Sequence, residues 1–200
     1  MRIGIDFDNT IVCYDTLFYH LALEHGCHPD RISANKRSIR DYYRSIDQED
    51  IWTGMQGIAY GPRILEAIPF PGILNFMIDA HAAGHQLFIV SHKTKNPFRG
   101  EPHDLHQAAL SWLTHHQVLT QIIPREQIFF ELTKAEKIAR IATLKCECFI
   151  DDLPEILSDA AFPTSVSKVL FDPAGEHSAP LTGILLRHWD QANSIFQEQC

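Results

Sequence analysis

Asp6 and Asp8 stand two positions apart at the end of a short apolar run, with Asn9 and Thr10 directly behind them. Side chains alternate along a strand, so both carboxylates leave it on the same side, toward whatever lies past its end. Two negative charges so close repel unless a cation joins them. A divalent ion such as Mg²⁺ takes such hard oxygen donors from carboxylates, backbone carbonyls and water. An Asp-Asn pair after a strand is also an ordinary turn or cap, so this stretch alone leaves both readings open. Other chain segments favour the first. The apolar run 87–90 leads into Ser91, His92, Lys93, Thr94 and Lys95, a hydroxyl and several cations that suit an anionic group. The run 146–150 leads into a second acidic pair, Asp151 and Asp152. Asp152, with Glu155 three positions on, also fits a helix N-cap, an explanation Asp151 lacks. Lys134 and Lys137 open the helical stretch before that strand, and either could reach back over a sheet.

Residues so far apart need a scaffold that gathers strand ends. The runs 3–7, 87–90, 127–131, 146–150 and 167–171 are short, apolar, β-branched or aromatic, and bounded by polar residues, which predicts buried strands. Helical patterns lie between them. Over 105–116 the apolar positions Leu105, Ala108, Ala109, Trp112 and Leu113 follow helical spacing, with Asp104 and Gln107 suited to an N-cap. Thr133 and Glu136 predict a capping box ahead of inward-facing Ile138 and Ile141. Alternation of this kind gives an α/β, Rossmann-like three-layer core with a mostly parallel five-stranded sheet. Such sheets carry their sites at the carboxyl ends of the strands, where the topology switches direction.

The rhythm breaks once. Some 80 residues separate the first two strands, too many for one crossover, and residues 14–71 read as several helices rich in Tyr, Arg, Asp and Ile. The predicted organisation is therefore a core of residues 1–13 and 72–200 with a small helical module, 14–71, inserted after the first strand. The Pro-Phe-Pro-Gly run at 69–72 marks the exit, leading to a helix over about 73–83 that ends at Gly84.

A 200-residue chain buries roughly 70% of its unfolded surface, enough for a real core. Hydrophobic content of 45% and a net charge of −8 describe an ordinary globular protein whose acidic surface repels phosphate backbones, so nucleic acid is not expected as a general partner. No apolar run approaches the roughly 18 residues of a membrane span, and the N-terminus reads as a strand rather than a secretion signal, which predicts a cytoplasmic protein. The five cysteines, Cys13, Cys27, Cys146, Cys148 and Cys200, are scattered and do not form a disulfide framework. Cys146 and Cys148 lack a second ligand pair at zinc spacing and read as small buried hydrophobes.

Together the acidic and basic residues resemble the haloacid dehalogenase superfamily of phosphohydrolases. Asp-Phe-Asp-Asn-Thr at 6–10 looks like its first motif, Asp-x-Asp-x-Thr; Ser91 after an apolar strand looks like its second; a lysine of Thr-Lys-Ala-Glu-Lys looks like its third; Ile-Asp-Asp at 150–152 looks like its fourth. The resemblance covers residues 1 to about 172, and 14–71 fall where the superfamily inserts its first-type helical cap. It implies that Asp6 is the nucleophile, forming an aspartyl-phosphate, and that Asp8 protonates the leaving oxygen and then activates water. Thr10 and Ser91 would hydrogen-bond the transferring phosphoryl group, and Lys134 or Lys137 with Mg²⁺ would neutralise its charge. The ion would sit between the Asp6 side chain, the Asp8 carbonyl and Asp151, with Asp152 bound directly or through water.

The implied activity is Mg²⁺-dependent hydrolysis of a small phosphorylated metabolite. A phosphomutase or phosphotransferase uses the same residues, and a non-catalytic binding module that kept the fold is the alternative from another class. Asp8 argues against a dehalogenase, which needs no acid at that place. His92 and Lys93 are candidate substrate-binding residues beside Thr10 and Ser91. From the insert, Trp52 and Arg63 join them, within a glycine-containing stretch over 50–64 that either lines a pocket or packs the insert's own core.

Overall fold

The computed structural model describes residues 1–177 and 183–197; Cys200 lies outside the described residues. The chain runs β1 (Arg2–Ile5), α1 (Asp15–Glu24), α2 (Lys36–Ser45), α3 (Glu49–Tyr60), α4 (Ile73–Ala82), β2 (Gln86–His92), α5 (Leu105–His115), α6 (Val118–Gln121), β3 (Ile128–Glu131), α7 (Lys134–Thr143), β4 (Cys148–Asp151), α8 (Pro154–Leu157), β5 (Ser167–Phe171), β6 (Ile184–Leu186) and α9 (Ala192–Gln197), with short 3-10 turns between some of them. No described helix is long and apolar enough to cross a membrane. Two compact units result: Met1–Val12, Pro69–Lys93 and Gln117–Cys200 form the first, Cys13–Ile68 and Thr94–His116 the second.

The first unit is built on a parallel sheet of six strands in the order β3-β2-β1-β4-β5-β6. Five were predicted. The sixth, Ile184–Leu186, is only three residues long and pairs Val169 with Ile184, too short a run for an apolar pattern to stand out. Both faces are covered. Phe88, Val90, Phe149 and Leu170 pack with Ile138 and Ile141 of α7 and Ile156 and Leu157 of α8. Phe171, the strand neighbour of Leu170 and so on the opposite face, stacks at 5.2 Å on Trp189, which also meets Phe76 of α4 at 5.2 Å. A Cβ on Gly4 would come within 2.5 Å of the Phe149 ring, so β1 and β4 can lie side by side here only because Gly4 has no side chain. Cys146 and Cys148 are buried, and burial pushes their thiols up to about 11 and about 12.

Local signals act as their chemistry dictates. Thr133 Oγ1 accepts from the Glu136 N–H and donates to its carboxylate, closing the capping box of α7. Asp104 caps α5 by accepting from the Gln107 N–H at 2.9 Å. At the end of α4, Gly84 takes φ +80°, a left-handed turn into β2.

The second unit is helical, with its middle filled by rings: Phe18 lies 4.7 Å from Trp52, and Tyr14 meets Tyr60 edge-on at 4.9 Å. The Lys36 ammonium stands 5.4 Å over the Tyr60 ring. Residues 94–116, which the sequence pattern left with the core, cluster here. Trp112 of α5 donates its indole N–H to the Ala67 carbonyl at 2.8 Å, and the 97–99 loop lies so close to α3 that a Cβ on Gly57 would meet the Arg99 carbonyl at 2.7 Å. Between that loop and α3 is a cavity of about 570 Å³ lined by Gly54, Ile58, Asp50, Arg99 and His103.

Candidate active site

Chain connectivity puts the switch point of the sheet at β1, because β2 and β3 extend to one side of it and β4, β5 and β6 to the other. The register Ile5↔Ile150 continues with the Asp6 N–H donating to the Ile150 carbonyl, which sets Asp6 beside Asp151. Lys137 reaches both. Its ammonium donates to Asp6 Oδ1 at 2.6 Å and to Asp151 Oδ2 at 2.6 Å, with the Phe149 ring centred 5.5 Å away. All three side chains are buried. Burial disfavours the Lys137 charge, yet the two carboxylates outweigh it and hold the lysine above its ordinary value. Burial also drives the Asp151 carboxyl up, to about 7; Lys137 opposes this, and the Asp6 charge adds to it. A fully buried carboxylate beside a second one is disfavoured by both causes.

Asp8 has a lysine of its own. Lys93 donates to Asp8 Oδ1 at 2.9 Å and Oδ2 at 2.8 Å, and its side chain is 3% exposed. The backbone between the two aspartates and Thr10 turns sharply: Ile11 and Val12 both donate to the Phe7 carbonyl, and Asn9 takes φ +61°, a conformation asparagine tolerates better than most residues. Thr10, fully buried, donates to Asp152 Oδ1 at 3.3 Å, and its carbonyl accepts from the Trp189 indole N–H at 3.2 Å. Ser91 is buried near the end of β2, two residues past the Ile5↔Ile89 pair, as Phe7 lies two residues past the end of β1.

The remaining predicted site residues are placed elsewhere. Lys134 turns to Asp159 at 2.7 Å, leaving Lys137 as the lysine of the cluster. His92 is exposed and directs Nε2 at the Leu132 carbonyl at 3.0 Å. Trp52 is buried in the aromatic core of the second unit, where it cannot present its ring to a ligand. Arg63, in the same unit, donates to Glu24 at 2.6 Å and to both carboxylate oxygens of Glu66 at 2.7 Å, so its guanidinium is already committed to carboxylates. Nor is Asp152 an N-cap: Leu153 holds that position, and its N–H is taken by Asp151 Oδ1 at 3.0 Å. The support from Trp189 and the partner of Lys93 carry no signal in the sequence.

Among the described residues, Asp6, Asp151 and Asp152 offer three carboxylate oxygens within 4.8 Å of one another. Opposite ligands around Mg²⁺ stand about 4.2 Å apart, so this hard-oxygen set fits a small divalent cation after a slight contraction. Carboxylates, a buried lysine and the Thr10 hydroxyl thus meet at one strand-end site.

Searches of protein-family models and of curated proteins find no match to the chain. Solved structures do match over nearly the whole length. A hydrolase of the haloacid dehalogenase family from Deinococcus radiodurans R1, solved with bound phosphate and sodium, is 12% identical at a TM-score of 0.61, covering 98% of this chain and 95% of its own. The fold is that of the haloacid dehalogenase superfamily. A predicted phosphoglycolate phosphatase from Haemophilus somnus 129PT, 14% identical, shares this fold at a TM-score of 0.61, with 98% and 97% covered. A haloacid dehalogenase-type hydrolase from Bacillus subtilis, bound to magnesium, is 11% identical at 0.60, with 97% of each chain covered.

Proposed function

We propose that the chain is a Mg²⁺-dependent phosphohydrolase that acts on a small phosphorylated metabolite through an aspartyl-phosphate on Asp6. One observation carries this reading: a buried lysine held at 2.6 Å by both Asp6 and Asp151, at the switch point of the sheet. Isolated buried charges are costly, and a structural core would do as well with apolar groups of similar volume.

Asp6 attacks phosphorus, and the bond to the leaving oxygen breaks as the carboxylate–phosphorus bond forms. Asp8 donates a proton to the leaving oxygen and later takes one from the water that hydrolyses the aspartyl-phosphate. Ser91 donates to a phosphoryl oxygen, the Thr10 hydroxyl turns from Asp152 to do the same, and Lys137 places positive charge next to the nucleophile. Asp6, Asp151 and Asp152, with the Asp8 carbonyl, would hold Mg²⁺, which when bound offsets the charge that develops on the phosphoryl oxygens. Phosphate and magnesium in the structural neighbours support the same chemistry here. The helical unit, whose first segment leaves the chain directly after the Thr10 turn, is proposed to govern substrate choice.

Phosphate release from a panel of phosphorylated metabolites, with p-nitrophenyl phosphate as a generic ester, tests the proposal. Turnover should vanish with EDTA, return with Mg²⁺ and be absent in Asp6→Asn. Full activity after exhaustive chelation removes the metal, and turnover by Asp6→Asn removes the nucleophile.

A further inference from the structure

We propose that Lys93 is a positioning residue that acts through Asp8, holding the acid–base carboxylate in place rather than binding the substrate's phosphate; this rests on the phosphohydrolase reading. A lysine two residues after Ser91 would ordinarily be taken as a cation for the substrate. Its geometry says otherwise. The ammonium donates to both Asp8 oxygens at 2.9 and 2.8 Å, so the carboxylate plane is fixed from one side. The lysine is itself held. Its N–H donates to the Glu131 carbonyl at 2.8 Å, continuing the β2–β3 ladder past the last strand residue, and its ammonium lies 5.5 Å from the Phe7 ring. Phe7 is fully buried and meets Phe130 edge-on at 5.8 Å. A long side chain buried to this degree has already lost its rotamer freedom, which is the property a positioning group needs and a substrate-gathering surface lysine lacks.

The site therefore assigns separate lysines to Asp6 and Asp8. Lys137 serves Asp6 and Asp151, while Lys93 serves Asp8. Asp8 must meet two different atoms in turn, the leaving oxygen and then a water, and a carboxylate free to rotate would spend much of its time aimed at neither. Misplacement of a catalytic group by about 1 Å can cost on the order of 10²-fold in rate.

Kinetics of Lys93→Met, Lys93→Arg, Asp8→Asn and the double variant on phenyl phosphate with Mg²⁺ test the assignment. Lys93→Met should lose about 10²-fold in kcat with KM changed by no more than about twofold, because the interaction is made with the enzyme's own acid and not with the substrate. Lys93→Arg, which keeps the charge and can grip a carboxylate with two N–H groups, should recover part of kcat and provides a folded comparison if the methionine variant is unstable. On the Asp8→Asn background Lys93→Met should cost nothing further, since the proposed route through Asp8 has gone. A raised KM with kcat intact, losses that multiply in the double variant, or Lys93→Met kinetics equal to wild type would overturn the assignment alone. Absence of turnover by the wild-type chain on every ester tried would overturn the phosphohydrolase reading and the assignment together.

Discussion

The two units use charge in opposite ways. In the first, Lys137, Asp6 and Asp151 are almost fully buried, and Lys93 grips Asp8 with 3% of its own side chain exposed. In the second, the ion pairs lie in water: Arg44 with Glu49, Arg99 with Asp50, and Arg63 with Glu24 and Glu66. Its interior is aromatic instead, with Trp52, Phe18, Tyr14 and Tyr60 in mutual contact. Exposed pairs are worth roughly 0–1 kcal/mol, whereas burying an ion pair costs more solvation than the attraction returns unless every partner is present. Buried charge of this kind marks a place where something other than stability decides the residues. The contrast also weighs against the hollow of the second unit: the cavity of about 570 Å³ is lined by none of the buried ion pairs.

Four experiments break or sharpen this contrast. Lys137→Met should have the largest effect, because it leaves Asp6 and Asp151 facing each other without a cation: activity is lost and stability falls by about 3–5 kcal/mol, which for a chain of this size lowers Tm by roughly 6–20 °C. An unchanged thermal midpoint would mean that the buried charges are cheaper than their geometry implies. Trp52→Ala is the counterpart in the aromatic core and should cost about 3 kcal/mol, visible as a lower denaturant midpoint; a cost below about 1 kcal/mol would mean the ring is not a packing residue.

The third experiment varies pH. A carboxyl raised to about 7 keeps its proton below that pH in the folded chain, so a cation must displace the proton there and need not above it. The stabilisation that Mg²⁺ gives, read from the rise in Tm, should thus be larger at pH 8 than at pH 6, by up to about 1.4 kcal/mol for the one pH unit between pH 6 and that value. Equal shifts would show that Asp151 is already ionised at pH 6. Smallest is Arg63→Ala, expected to change stability by less than about 1 kcal/mol in urea titration, since both of its carboxylate partners remain solvated when it goes.

Much of the scaffold was legible because its strands are short apolar runs and because α5 and α7 begin with side-chain caps. Thr133 and Asp104 are side-chain acceptors whose role needs only local chemistry, and the structure uses both in that way. The choice between Lys134 and Lys137 was open although a clue was present: Lys137 lies one helical turn before Ile141 and adjoins Ile138, on the face that buries, while Lys134 sits at the first helical position and reaches Asp159. The pairing of Lys93 with Asp8 was not legible, since 85 positions separate the two and no local pattern encodes it. Nor was the placement of 94–116. An amphipathic helix shows which of its faces is apolar and not what will cover it, and only the Trp112–Ala67 hydrogen bond and the crowding at Gly57 reveal the company α5 keeps.

Because the second unit is assembled from two separate lengths of chain, Cys13–Ile68 and Thr94–His116, it cannot be trimmed away in one cut. Deleting 13–68 and bridging the gap with a short linker would strip α5 of Ala67 and of the helix that Gly57 lets the 97–99 loop approach, exposing Trp112 and Leu113, which are fully buried in the intact protein. A fragment that keeps the first unit alone has to omit both lengths together, and a graft of the helical unit onto another host has to supply two insertion points rather than one.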